Sequence, residues 1–179
     1  KSLMKILICG DSFSSDTNGW PKYLHGNVTN RSERGVGEFK IFKQTYDYKT
    51  FDKLIVCHTS PWRIHTTSHP MHKDNAQRPN NDFMIADLEH HSNHNNEIKH
   101  IYSYIKKYTD WDYVKFVYDM IVDKLLSLPN SIHITFHSPE DTKKITNNYH
   151  YVWQKYKGNI NHLNQTGNEI VAKHIQTML

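Results

Sequence analysis

The sequence has no long apolar run. No stretch approaches the roughly 20 consecutive apolar residues that a membrane-spanning helix requires. The N-terminal region also lacks the apolar core and small-residue cleavage site of a secretory signal peptide. Residues 1–3 precede Met4 and resemble a remnant ahead of a native start, so the fold prediction omits them. These absences predict a soluble, cytoplasmic protein with no membrane partner.

Cysteine and dense basic blocks are also scarce. The two cysteines, Cys9 and Cys57, lie inside apolar, strand-like runs, where a buried thiol packs as a small hydrophobic group. We expect both to be reduced. The net charge of +4 comes from scattered Lys and Arg residues without an arginine-rich arm, which argues against a nucleic-acid partner.

The chain is long enough for a single domain spanning residues 1–179. Its hydrophobic fraction of 37% is low, but 11 Tyr, 7 Phe and 4 Trp provide large apolar surfaces for a core. Buried strands are predicted at residues 4–10, 52–59 and 131–137, with an edge strand at 27–30. Helices are predicted within 18–26 and 35–46, over 96–128 as one long helix or two broken near Thr109, and over 164–178.

This alternation predicts an α/β fold, a three-layer α/β/α sandwich around a central parallel sheet. Residues 60–95 lack a sustained period and are predicted to form a long loop with one short element near 83–88. In such sheets ligands bind beyond the carboxyl ends of the strands. Ser12, Gly35 and the pair Thr59–Ser60 each follow one of the predicted strands, so they are expected at the same rim.

The segment GDSFS (10–14) places Ser12 just past a buried strand, where its hydroxyl can project from a tight turn. His162 precedes the last predicted helix and can reach back over the rim. A serine hydroxyl becomes a good nucleophile when a neighbouring base accepts its proton, so the two residues form a candidate pair. The structural alternatives are a helix-capping serine and an ordinary loop histidine.

The order of GDSF, a glycine after the second strand and HLNxxG (162–167) resembles the SGNH hydrolase superfamily of GDSL-like esterases. The resemblance covers nearly the whole chain and implies a flavodoxin-like sandwich that hydrolyses esters without a cofactor. It also implies roles for three residues. Ser12 would be the nucleophile and first oxyanion donor, Gly35 the second donor, with Gly37 as the alternative, and His162 the base.

The chain departs from this family after its third strand, where CHTSPWR (57–63) replaces Gly-x-Asn-Asp. The segment resembles a Thr-Ser-Pro-x-Arg variant found in bacteriophage proteins, with Ser60 or Thr59 at the position of the third oxyanion donor. Arg63 is a candidate for binding an anionic part of the substrate or, alternatively, for a structural salt bridge. Trp62 and Asp11 are further candidate substrate contacts at the rim.

A second departure concerns the acid of the catalytic triad. The family carries it three residues before the histidine, and Asn159 stands there in this sequence. An amide oxygen can orient the imidazole ring but cannot offset the charge of the imidazolium. Three interpretations follow: a weak natural enzyme, a non-catalytic descendant, or a deliberate substitution.

Histidine, a common metal ligand, is abundant between residues 58 and 100. The candidate ligand spacings match neither HExxH nor a paired Cys/His motif, and no metal is predicted. The candidates form two sets: His58, His65, His69 and His72, and Asp87, Glu89, His90, His91 and His94.

The sequence therefore predicts a serine ester hydrolase that removes a small acyl group, for example acetyl from a glycan. A long lipid chain is less expected because the loop over residues 60–95 is polar. One alternative is a glycan-binding module of the same fold without turnover. The other is a metal-dependent enzyme that uses the histidine-rich loop.

Overall fold

A parallel sheet of five strands forms the centre of the molecule. The computed structural model describes residues 2–72, 80–158 and 162–179. The sheet strands follow the spatial order β2-β1-β3-β6-β7, and every neighbouring pair is parallel. A separate antiparallel pair joins β4 and β5. The strands are β1 (Lys5–Gly10), β2 (Asn27–Asn30), β3 (Lys53–His58), β4 (Arg63–Ile64), β5 (Phe83–Met84), β6 (Ser131–Thr135) and β7 (Asn147–Asn148).

The apolar runs of the sequence occupy the middle of the sheet. β1, β3 and β6 are almost entirely buried because helices cover both faces, which explains their continuous rather than alternating hydrophobicity. The α/β class and the central parallel sheet predicted from the sequence are thus confirmed. The edge strand β2 is polar and largely exposed.

Helices flank the sheet on both sides. Ile41 of α2 and Leu125 of α5 pack against one face, and Val171 and Ile175 of α7 pack against the other. No helix within the described ranges is long and apolar enough to cross a membrane. The helices are α1 (Ser12–Ser15), α2 (Glu38–Gln44), α3 (Ile85–Ser92), α4 (Asn96–Tyr108), α5 (Trp111–Leu126), α6 (His150–Lys155) and α7 (Gln165–Met178).

The described parts of the predicted loop, residues 60–72 and 80–95, contain β4, β5 and α3, which is more regular structure than the sequence predicts. The helix α3 buries one side chain, Leu88, which packs with Ile98 of α4. A single buried position leaves no helical period to detect in the sequence. The short elements β7 and α6 escaped prediction for a similar reason, since neither contains a fully buried residue.

Candidate active site

A cleft of about 620 Å³ opens beyond the carboxyl ends of the central strands. It brings together three residues that the sequence singled out from distant parts of the chain: Ser12 after β1, Gly35 after β2 and His162 before α7. The remaining lining is mostly polar. The other lining residues are Asp16, Arg34, Arg63, Asn81, Asp87, Gly158, Leu163 and Asn164.

Ser12 is the first residue of a one-turn helix, and the preceding residue caps that helix. The Phe13 N–H donates to Asp11 Oδ1 at 3.0 Å, so Asp11 rather than Ser12 is the N-cap. Gly10, the last residue of β1, has no space for a side chain. An added Cβ would lie 2.3 Å from Ser14 Oγ and 2.7 Å from Cys57 Cβ. This close approach fixes the turn that presents Ser12 to the cleft.

Asp11 does not act as the predicted substrate contact. Asp11 is completely buried, and its carboxylate stabilises the turn by accepting the Phe13 N–H. Its Oδ2 lies 3.4 Å from His137 Nε2. Burial alone would raise the pKa of the Asp11 carboxyl, but its hydrogen bond to His137 and the charges of His137 and Arg63, together with the Phe13 N–H, bring that pKa below its usual value of 3.8.

Gly35 adopts a left-handed backbone conformation with φ of 74°, which favours glycine. Its carbonyl accepts hydrogen bonds from the Asp82 N–H at 2.9 Å and from Arg63 Nη1 at 3.2 Å. Within residues 2–72, 80–158 and 162–179, the N–H groups of Ser12 and Gly35 donate to no other protein group. Both donors are therefore available to a ligand in the cleft.

The alternative second donor, Gly37, is already occupied. Its N–H donates to Asp82 Oδ2 at 2.6 Å. Asp82 is itself almost completely buried and also forms an ion pair with Lys40. This arrangement anchors the start of α2 and leaves Gly35 as the donor that faces the cleft.

Ser60 and Thr59 do not line the cleft, in contrast to the sequence prediction. The Ser60 hydroxyl turns back to accept the Trp62 N–H at 3.3 Å, and Ser60 lines a neighbouring cavity of about 250 Å³. Thr59 is fully buried, and its Oγ1 accepts from Arg63 Nε at 3.2 Å. Because neither residue lines the cleft, neither hydroxyl lies at the position of a third oxyanion donor.

Asn81 also lines the cleft, although no pattern in the sequence marks it as a site residue. Its amide packs directly on Gly35, where an added Cβ would meet Asn81 Oδ1 at 2.3 Å. Asn81 Oδ1 is buried and has no hydrogen-bond partner. Its Nδ2 donates to no residue in the described part of the chain, and Asn81, although buried, lines the cleft. Asn81 was missed because it follows a polar, patternless segment.

Arg63 lines both the cleft and the neighbouring cavity. Its guanidinium contacts a hydroxyl and a carbonyl, those of Thr59 and Gly35. Among the residues that the structure describes, no carboxylate lies within 4.0 Å of it, so the predicted salt bridge is not formed there. Trp62 packs edge-on to Trp111, with centroids 6.1 Å apart, and does not line the cleft.

His162 is held by a short antiparallel ladder ahead of α7. The Gly158 N–H donates to the His162 carbonyl at 2.6 Å, and the Asn164 N–H donates to the Tyr156 carbonyl at 2.8 Å. The imidazole ring stacks on Phe13, with centroids 5.7 Å apart and planes at 21°. This stacking places the ring beside the turn that carries Ser12.

Within the described ranges, no hydrogen bond joins Ser12 Oγ to His162. Hydrogen bonds between a nucleophile and its base are often long in unliganded enzymes and tighten when substrate binds. A carboxylate is close to the ring, since His162 Nδ1 lies 3.8 Å from Asp16 Oδ2. Asn159, the residue at the position of the triad acid, lies outside the described residues.

No protein-family model matches this chain, and no curated protein matches it either. The residue geometry therefore carries the functional argument. Of the histidine-rich segments, the described part contains no group of three or more His, Cys, Asp or Glu side chains that could hold a metal ion. His69 and His72 do lie together, with ring centroids 4.6 Å apart.

A second grouping of serine, histidine and carboxylate lies inside the molecule. Glu38 Oε1 is 2.6 Å from His58 Nδ1, His58 Nε2 is 2.9 Å from His133 Nδ1, and His133 Nε2 is 2.7 Å from Ser131 Oγ. Burial, followed by the neighbouring His58, lowers the pKa of His133 to about 3. These contacts join residues of β3, β6 and α2, and none of the four residues lines the cleft.

Proposed function

We propose that the protein is a serine ester hydrolase of the SGNH, or GDSL-like, type. The observation that carries the proposal is the meeting of Ser12, Gly35 and His162 in one cleft. The sheet supports the same assignment. In chain order its five strands are arranged 2-1-3-4-5, which is the order of flavodoxin-like folds, and in such folds ligands bind at the carboxyl ends of the strands.

In the proposed reaction, His162 accepts the proton of the Ser12 hydroxyl as its Oγ attacks the acyl carbonyl. The C–O bond to the alcohol then breaks, and the His162 imidazolium returns the proton to the departing oxygen. Water attacks the resulting acyl-serine with His162 again acting as base. The products are a carboxylic acid and an alcohol, and Ser12 regains its proton.

Three donors would stabilise the oxyanion of the tetrahedral intermediate. Among the described residues the N–H groups of Ser12 and Gly35 donate to no protein group, and the Asn81 side-chain amide packs on Gly35. Preorganised donors act strongly here because they need no rearrangement as charge develops. Asn81 takes the role that the sequence suggested for Ser60 or Thr59.

The lining of the cleft supports a polar substrate, such as an acetylated glycan. Charged and amide side chains surround the reacting serine, and a volume of about 620 Å³ matches the size of small-molecule sites. Hydroxyl groups of a sugar can bond to such a surface, whereas a long acyl chain would leave it unpaired. A small acyl group on a hydroxyl-rich alcohol is therefore the proposed substrate class.

The proposal is tested with p-nitrophenyl esters of graded acyl length and with an O-acetylated glycan. We expect turnover to be fastest for acetyl, and acetate to be released from the glycan. Ser12→Ala and His162→Ala should each lose this activity. If the wild-type protein bound the glycan but released no more acetate than Ser12→Ala, the binding module would replace the hydrolase.

A further inference from the structure

A carboxylate lies beside His162 that the sequence pattern does not assign to the site. Of the described carboxylates, only Asp16 comes within 4.0 Å of a His162 ring nitrogen. The distance from Asp16 Oδ2 to Nδ1 is 3.8 Å, which exceeds a hydrogen bond but is within the range that a small side-chain rotation closes.

We infer that Asp16 is the positioning residue for His162 and takes the part of the triad acid. The inference rests on the proposed function, because a positioning residue matters only if His162 acts as base. The anion would accept the N–H of Nδ1, which leaves Nε2 free to accept the proton of Ser12. It would also stabilise the imidazolium that forms during the reaction.

The surroundings of Asp16 make this role physically reasonable. Its Oδ1 accepts the Asn18 N–H at 2.9 Å, so one carboxylate oxygen is fixed in a turn while Oδ2 faces His162. Phe13 covers one face of the imidazole and limits its rotation. Asp16 also ends the same one-turn helix that Ser12 begins, so nucleophile and anion share one rigid element.

Other charges line the cleft and act on His162 from farther away. Asp87 carries the same charge as Asp16, and Arg34 and Arg63 carry the opposite charge. The side chain of Asp16 is about one-third exposed, so solvent weakens its field. The expected effect of Asp16 is therefore moderate, and Asp87 provides a matched charge for comparison.

Asp16→Asn is a suitable test variant because it removes the charge and keeps an oxygen that can accept the Asn18 N–H. The titration of the His162 ring is followed by NMR, with His162→Gln identifying its signal among the 14 histidines. In Asp16→Asn the midpoint should move to lower pH, because the ring loses a neighbouring negative charge. Asp16→Glu should retain most of the wild-type midpoint, and Asp87→Asn should give the smaller shift.

Kinetics provide the second arm. In Asp16→Asn we expect kcat on an activated ester to fall about 10–100-fold with little change in KM, and the acidic limb of the profile to move to lower pH. An unchanged midpoint and unchanged kcat would overturn the inference while leaving Ser12-dependent hydrolysis intact. A midpoint shift without any Ser12-dependent hydrolysis would support the contact but overturn the proposed function.

Discussion

The described part of the molecule contains two groupings of serine, histidine and carboxylate, which differ in hydrogen bonding and in their position relative to the cleft. At the rim, Ser12 and His162 share a cleft without a direct hydrogen bond, and the nearest carboxylate is 3.8 Å from the ring. Inside the protein, Glu38, His58, His133 and Ser131 form contacts of 2.6 to 2.9 Å.

In this inner chain of hydrogen bonds, which consists of Glu38, His58, His133 and Ser131, each side chain contacts the next. Ser131 Oγ donates to the Leu128 carbonyl at 2.5 Å, so its single proton is used and it can only accept from His133 Nε2. His133 Nδ1 then accepts from His58 Nε2, and His58 Nδ1 contacts Glu38 Oε1 at 2.6 Å. The other oxygen of Glu38 accepts the Thr59 N–H at 3.1 Å.

The comparison teaches that close hydrogen bonding does not identify a catalytic site. Ser131 stands at the amino end of β6, away from the cleft, and has no proton to give up. The group at the rim, Ser12, Gly35 and His162, lines an open cleft and places Ser12 after the carboxyl end of β1. Among the described residues, the N–H groups of Ser12 and Gly35 donate to no protein group. Unsatisfied groups beside a cavity indicate chemistry, whereas fully satisfied ones indicate structure.

The largest expected difference between the two groupings is between their serines. Ser12→Ala should reduce kcat/KM by at least ~10³-fold because it removes the nucleophile. Ser131→Ala should leave kcat/KM within about twofold and lower the free energy of unfolding by about 1 kcal/mol, since two buried groups lose a partner. Ester hydrolysis and urea denaturation measure these effects. An equal loss of activity in both variants would contradict the distinction.

Asn81 should show the next largest effect. Asn81→Asp keeps the shape of the side chain but replaces a donor with an anion, so kcat should fall ~10²–10³-fold with a smaller change in KM. The neighbouring Asn80 is exposed and bonds to Glu33, so Asn80→Ala is a matched control with little expected loss. Steady-state kinetics distinguish the two. Full activity in Asn81→Asp would exclude Asn81 from the oxyanion site.

Position 159 should matter once Asp16 is removed. In the Asp16→Asn background, Asn159→Asp should raise kcat by ~10–100-fold, because it returns an anion at the position where the family resemblance expects one. In the wild-type background the gain should be smaller, since Asp16 is already present. Kinetics of the four variants in a double-mutant cycle measure this dependence. Equal gains in both backgrounds would show that the two positions act separately.

The inner chain should govern stability in mild acid. The folded protein lowers the pKa of His133 to about 3, so protonation favours the unfolded state. Above pH 6.5 the His133 ring is neutral in both states and leaves the free energy of unfolding unchanged. As pH falls from 6.5 toward 3, that free energy decreases. At pH 5 the loss should be about 2 kcal/mol, and His133→Gln should unfold with a shallower dependence on pH. Denaturation at several pH values tests this, and parallel slopes would show that His133 does not contribute.

The fold was largely accessible from the sequence where burial imposes a pattern. β1, β3 and β6 are buried on both faces and appear as continuous apolar runs, and α4 and α5 show a clear helical period. By contrast, α3 buries one residue, and α6 buries none completely. Tertiary contacts define such short elements, so their local sequence gives little indication of them.

The candidate site was accessible only in part. Ser12, Gly35 and His162 were predicted because each occupies a recognisable place after a strand or before a helix. Asn81 and Asp16 carry no such signal, since their proximity to the cleft depends on how polar loops close over the sheet. The structure does not place Ser60 and Thr59 in the cleft. Ser60 lines the neighbouring cavity, and Thr59 is fully buried.

The central claim is that Ser12 is an activated nucleophile. The most direct measurement is labelling with a fluorophosphonate, which reacts with activated serines, followed by mapping of the modified peptide by mass spectrometry. We expect one phosphonylated residue, Ser12, and loss of labelling in both Ser12→Ala and His162→Ala. Labelling that persists in Ser12→Ala, or its complete absence from the wild-type protein, would contradict the account.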